Sequence, residues 1–313
     1  MARSAAASFA RLAGVLGCVL AAAALPAAEI RLGDATVELQ YPAADFGHRD
    51  ELLVSWVRRS GAIVAGYYGR FPVKHLQLVL EPHSGDGVHG GKTFGQPRAY
   101  IRVGVGRDVT DAQLTADWVL VHEMTHLALP DTGEEHAWLS EGVATYVEGI
   151  ARVQAGNRTE TDVWSEELGS MPRGLPQPGD AGLDHTHTWG RTYWGGAMFC
   201  LLADVEIHRR THNRKGLQDA LRAVLAASGG LSADWPIGRV FSVGDAAVGV
   251  PVLEELYARY KDSAAAPDLT QLWKDLGIEL NAGTVRLDDG APLAEVRHAI
   301  MRARPALQAS PGE

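Results

Sequence analysis

The sequence predicts an α+β fold: a β-rich N-terminal lobe with an edge strand over residues 29–109, then an α-helical lobe over 110–303. Three observations carry this expectation. Apolar and polar residues alternate in short runs before residue 109, as in half-buried strands. Beyond residue 110 the apolar residues recur mostly at helical spacing. Between the two regimes stands His122-Glu123-Met124-Thr125-His126, a run whose chemistry requires a helix.

Composition narrows the field. The 313 residues are 46% hydrophobic and 21% charged, which suits one large domain or two small ones with a proper core. The net charge of −9, with no basic stripe, argues against a nucleic-acid partner. Residues 1–28 read as a secretory signal, with Arg3 and Arg11 before an apolar, alanine-rich run from Leu12 to Leu25. No stable membrane span is expected after its cleavage, though the same run could serve as an uncleaved anchor. Val15-Leu16-Gly17-Cys18 only weakly resembles a lipoprotein box, because the apolar run continues past Cys18. If Cys18 leaves with the signal, Cys200 has no intrachain partner and is expected to be an inert core thiol. Export without disulfides points to the bacterial periplasm or a secreted protein.

The elements follow in order. Residues 29–44 hold one or two strands, with Thr36 to Tyr41 alternating and Pro42 ending the run. A helical pattern covers 46–68. A strand over 75–81 stops at Pro82, and the glycine-rich stretch 84–97 reads as a loop. A third strand, 98–106, alternates cleanly. Thr110 and Gln113 form a capping box for a helix that should run through His122 and His126 to about Ala128, where Pro130 stops it. After a polar turn a second helix runs from about Trp138 to Gln154. Residues 155–186 read as a long loop, which could wall a cleft or be a surface excursion. A long helix then continues to about Arg210. Further helices are expected at about 216–227, 250–261, 268–275 and 291–303, with a small hairpin around Asn281-Ala282-Gly283 and a disordered tail over 304–313.

The chemistry sits on the two helices in the middle. His122 and His126, four residues apart on a helix, leave the same face one turn apart, the separation two nitrogens need to bind one zinc. Glu123 is next round the helix and can reach a water at the metal without being a ligand. A catalytic zinc takes three protein ligands and keeps one position open. Glu141, in Trp138-Leu139-Ser140-Glu141-Gly142-Val143-Ala144, supplies an acidic third ligand from the returning helix. Two surface histidines on an amphipathic helix would be the bland alternative.

The two runs together resemble the gluzincin metallopeptidases, and Tyr193 with Gly196 before a long helix matches the glycyl- and alanyl-aminopeptidase branches. The gap between His126 and Glu141 is shorter than in the alanyl branch, and the glycyl branch is the nearer fit. The resemblance implies a zincin (thermolysin-like) catalytic domain whose strand before the zinc helix, here 98–106, is the sheet edge on which extended substrate pairs. It implies one Zn²⁺ per chain, held by His122, His126 and Glu141, with Glu123 as general base and Tyr193 as oxyanion donor. The expected partner is a peptide or protein substrate; oligomeric state is left open.

The sequence departs from the family at a further place. Gly90-Gly91 resembles the glycine pair that precedes an amine-binding acid in these aminopeptidases, but Lys92-Thr93 follows. The resulting expectation is a zinc-dependent peptidase, either aminopeptidase or endopeptidase, with a non-catalytic zinc-stabilised peptide-binding protein as the alternative. Glu148 shares a face with Glu141 and reads as a solvated or supporting residue. His185, His187, Arg191, His208 and His212 lie near the motifs in sequence and read mostly as surface residues.

Overall fold

In the computed structural model, residues 28–47, 49–281 and 283–304 are described. The expected signal sequence, Cys18 and the tail beyond residue 304 lie outside the described residues. Strands β1 (Ala28–Leu32) and β2 (Ala35–Gln40) form an antiparallel hairpin. A short helix α1 (Ala43–Phe46) leads to α2 (Asp50–Tyr68), which ends at Gly69 in the left-handed conformation. This is the usual helix stop, because glycine carries no Cβ to clash there. Strands β3 (His75–His83), β4 (Val88–Phe94) and β5 (Tyr100–Gly106) complete a five-stranded sheet of order β1-β2-β3-β5-β4. The β2–β3 and β3–β5 pairs are parallel, and β4 runs antiparallel to β5.

Two strand expectations are corrected. β3 does not stop at Pro82 but continues to His83. Its pairing with β2 ends at Val79, so Pro82 sits where one side of the strand is unpaired and a missing N–H costs nothing. The glycine-rich stretch is no plain loop: half of it is β4, with a bulge between Val88 and Gly91. β4, not 98–106, is therefore the sheet edge, and β5 lies inside with partners on both sides.

The helices begin with α3 (Asp111–Ala116), opened by the expected Thr110–Gln113 capping box. The expected single helix is broken here. Asp117 leaves the helical region, and its carboxylate accepts from the backbone N–H of Val119 and Leu120 at 3.0 and 3.1 Å, starting α4 (Val119–His126) afresh. Trp56 on α2 donates its indole N–H to the same carboxylate at 3.1 Å, which fixes α4 against the layer beneath. All eight residues of α4 are buried. Each fully buried Val or Leu there contributes about 1.5–3 kcal/mol, so the helix is held by packing rather than by length.

A one-turn 3₁₀ segment, Glu134–His136, precedes α5 (Ala137–Gln154). The expected loop 155–186 contains α6 (Glu160–Ser170), capped by Thr159, whose hydroxyl accepts from Asp162 N–H. A π-turn, Arg191–Gly195, feeds α7 (Gly196–Thr211). Then follow α8 (Leu217–Ser228), α9 (Ile237–Val248), α10 (Val252–Tyr260), α11 (Leu269–Leu276), the hairpin β6 (Ile278–Asn281) with β7 (Thr284–Leu287), and α12 (Ala294–Met301). No helix was expected where α9 stands, since it carries Gly238 and Gly244 among β-branched residues of modest helix propensity. The buried apolar residues form one cluster from Ile30 to Met301, spanning sheet and helices alike. Among the described residues no helix is long and apolar enough to cross a membrane.

Candidate metal centre

α4 and α5 pack side by side, and α4 also packs on β4. His122, His126 and Glu141 meet where the two helices face each other. Each offers a ligand atom, and the three atoms lie within 4.8 Å of one another, the one such group of three among the described residues. His122 Nε2 is 3.2 Å and His126 Nε2 is 3.5 Å from Glu141 Oε2. Burial opposes ionisation of Glu141, but hydrogen bonds and charge from the two imidazoles hold its carboxyl down at about 2.

The donor set suits a zinc-type ion: two imidazole nitrogens and one carboxylate oxygen. One further contact sharpens the fit. His126 Nδ1 lies 2.8 Å from Ser140 Oγ. With the proton on Nδ1 and given to Ser140, Nε2 keeps its lone pair for a metal, and the ring orientation is fixed. Ser140 stood in the quoted motif, but nothing in the sequence disclosed this contact.

Glu123 is 7% exposed and points under the edge strand. Thr93 on β4 donates its hydroxyl toward Glu123 Oε2 at 2.6 Å and Glu123 carbonyl O at 2.9 Å. β4 comes this close only because residue 91 is glycine: a Cβ there would stand 2.5 Å from Glu123 Cγ and 3.0 Å from Oε1. The position expected from the family resemblance to bear an amine-binding acid is thus occupied by a threonine that braces the adjacent glutamate.

Tyr193 lies in the π-turn, an irregularity that recurs at functional sites. Its ring stacks against His122 with centroids 6.3 Å apart. Burial first, and then the Glu141 and Glu123 carboxylates, push its phenol up to about 12, so it is a donor at ordinary pH. A backbone crossing sets its position. A Cβ on Gly142 would lie 2.2 Å from the Gly196 carbonyl carbon, and one on Gly196 would lie 2.0 Å from Trp138 O. α5 and α7 therefore touch backbone to backbone, beside Glu141 on one helix and one turn after Tyr193 on the other. Arg191 reinforces the turn by pairing with Asp180 at 2.7 Å and donating to Gly174 O at 2.7 Å.

These groups line a cleft of about 420 Å³, walled by β4 residues 91–93, the segment 130–136, α4, α5 and Tyr193. All five residues expected at the site line it: His122, Glu123, His126, Glu141 and Tyr193. His136 also lines it, with Nδ1 2.8 Å from Thr132 O. Among the described residues the other histidines do not. His185 faces Asp262 at 2.8 Å and is exposed, and His208 is buried against Asp204. Glu148 is not solvated: it is 6% exposed, ion-paired with Arg152 at 2.7 Å, and its burial raises its pKa to about 7 despite that cation.

The sheet with its edge strand, the two ligand helices and the His-His-Glu cluster together make a zincin-type domain. Solved structures share this fold, two of them as follows. One is an aminopeptidase N family protein from Idiomarina loihiensis, with a TM-score of 0.60 and 13% identity over 80% of this chain and 49% of that one. The other is the M1 zinc metallopeptidase from Deinococcus radiodurans, with a TM-score of 0.50 and 14% identity over 78% of this chain and 52% of that one. The gluzincin resemblance drawn from the motifs thus holds at the level of fold. The chain spans about half the length of the structures it matches. No protein-family profile matches the sequence, and no curated protein matches it.

Proposed function

We propose that the chain is a zinc-dependent peptidase in which His122, His126 and Glu141 hold one Zn²⁺. The observation that carries this is the convergence of those three ligand atoms beside Glu123, in a cleft edged by an open strand. A zinc bound there supplies a Lewis acid for the scissile carbonyl and makes a nearby water more acidic. Glu123, free of the ligand set and braced by Thr93, takes the proton from the attacking water and passes it to the leaving amine. Tyr193 donates its phenol O–H to the carbonyl oxygen as the carbon turns tetrahedral. The free edge of β4 offers backbone groups to an extended peptide.

Cleavage inside a chain is favoured over strict removal of N-terminal residues. Thr93 provides no carboxylate for a substrate amine, and a groove lined by Trp118, Arg158 and Glu166 offers room beyond the centre. Glu134 lines the cleft and is the residue that supports the aminopeptidase reading. Residues 1–28 support export to a bacterial periplasm or secretion as part of the same proposal.

The test is hydrolysis of a fluorogenic peptide mixture by the zinc-loaded protein, before and after chelation. The expected result is hydrolysis that chelator abolishes and zinc restores. Chelator-insensitive cleavage would remove the mechanism. Tight peptide binding without any cleavage would favour the non-catalytic alternative.

A further inference from the structure

Beyond His122 and Tyr193 lies a second cavity, of about 180 Å³, to which β4 contributes no residue. It is small beside ordinary ligand pockets of about 300–1,000 Å³, and its size suits a single side chain. Trp118 and Trp189 line it and are 53% and 58% exposed, unusual for rings of this size. Trp118 meets His122 edge to face at 5.7 Å, and Trp189 stacks on Tyr193 at 5.8 Å. The two indoles therefore continue the surface of the centre itself.

The acids of this cavity are not equivalent. Glu148 is paired with Arg152 at 2.7 Å, and Glu166 with Arg158 at 2.6 Å. Glu167 has no such cation among the described residues. It is 4% exposed, lines the cavity, and its Oε2 is buried with no hydrogen-bond partner. A buried carboxyl oxygen left unsatisfied is rare enough in a folded protein to require a reason. Burial, and then the Glu166 and Glu148 carboxylates, push this carboxyl well above its ordinary range, against the opposing charge of Arg158. Arg173 also lines the cavity, but it is exposed, where water and salt screen its charge.

We infer that this cavity is a specificity pocket for a basic side chain, lysine or arginine, next to the scissile bond, with its methylenes beside the two tryptophans and its cation on Glu167. The inference rests on the peptidase reading and deepens it. The indole faces attract a cation as well as covering its stem. A turn of the Glu167 side chain brings its buried oxygen to an ammonium or guanidinium in the cavity, whose N–H then donates to it, and any proton the carboxyl holds goes to solvent. A neutral aliphatic side chain of equal length would fill the same space and leave that oxygen unsatisfied.

The experiment measures binding rather than turnover. Acetylated, amidated pentapeptides of alanine carry one lysine, norleucine or glutamate at each position in turn. They are titrated by calorimetry into the zinc-loaded Glu123→Gln protein. At one position lysine should bind at least about tenfold tighter than norleucine, with glutamate weakest. Adding Glu167→Gln should collapse the lysine–norleucine gap while the melting temperature is kept. Equal binding of lysine and norleucine at every position overturns the inference, and that comparison needs no Glu167 variant to fold. No binding of any peptide at millimolar concentration also overturns it, as does a gap that survives Glu167→Gln. Turnover of the same peptides by the unaltered protein is read separately: a lysine preference in binding without hydrolysis removes the peptidase reading and leaves the pocket.

Discussion

Replacing Gly91 with alanine tests the mechanism through one methyl group. The new Cβ would stand 2.5 Å from Glu123 Cγ and 2.9 Å from Cδ, where ordinary contact begins at 3.4 Å. Gly91 does not occupy the left-handed region, so alanine itself fits the backbone. The strain therefore falls on the Glu123 side chain, which must retreat by about 1 Å. It does not do so freely, because Thr93 Oγ1 holds its Oε2 at 2.6 Å. A misplacement of about 1 Å in a catalytic group costs on the order of 10²-fold in rate. Gly91→Ala should thus lower kcat about a hundredfold, with one zinc retained by metal analysis and a nearly unchanged melting temperature. Gly90→Ala is the control. Gly90 has φ +99° and nothing within 4 Å of the added carbon. Backbone strain there should cost about 1–3 kcal/mol of stability while kcat per folded molecule is kept. Wild-type kcat in Gly91→Ala would refute the argument that Glu123 acts from its braced position under β4.

The remaining expectations concern the centre directly. His126→Ala should lose most of the zinc by metal analysis, and full occupancy in that variant would sink the ligand assignment. Glu123→Gln should keep the zinc and lose about 10²-fold or more in kcat; loss of metal instead would make Glu123 structural. Tyr193→Phe keeps the ring against His122 and deletes only the hydroxyl, so kcat should fall about 10²–10³-fold with zinc content and KM little changed. Near wild-type cleavage by that variant would mean the residue only packs. A cleaved peptide should be cut equally with its N-terminus free or acetylated; a strict need for the free amine would return Glu134 as an anchor.

Helices α4 and α5 were legible because their signals are local. His122 to His126 encodes its own geometry at helical spacing, and α5 was expected within a residue of both its ends. The failures were non-local. β4 has no alternating pattern, since Gly90, Gly91 and Lys92 are not strand formers; it is a strand because β5 is beside it. Its glycine pair was noticed, but the close approach that makes Gly91 necessary involves Glu123, distant in sequence. The break at Asp117 was readable in principle, as aspartate before an apolar run is a helix-start signal, but the continuous apolar pattern masked it. The same holds for Thr159 at the start of α6. Ser140, Thr93 and Glu167 have roles set wholly by tertiary contact, and no pattern of spacing marks them.

The contact between Gly142 and Gly196 has a mechanical consequence. Because α5 and α7 meet through main-chain atoms, Glu141 and the phenol of Tyr193 ride on one stiff unit, whose spacing does not depend on how any side chain repacks. Glu123 is tethered differently, to the rim of the sheet through Thr93. Glu141 and Tyr193 are thus set against each other by main chain, whereas Glu123 shares α4 with His122 and His126 and takes only its side-chain position from Thr93.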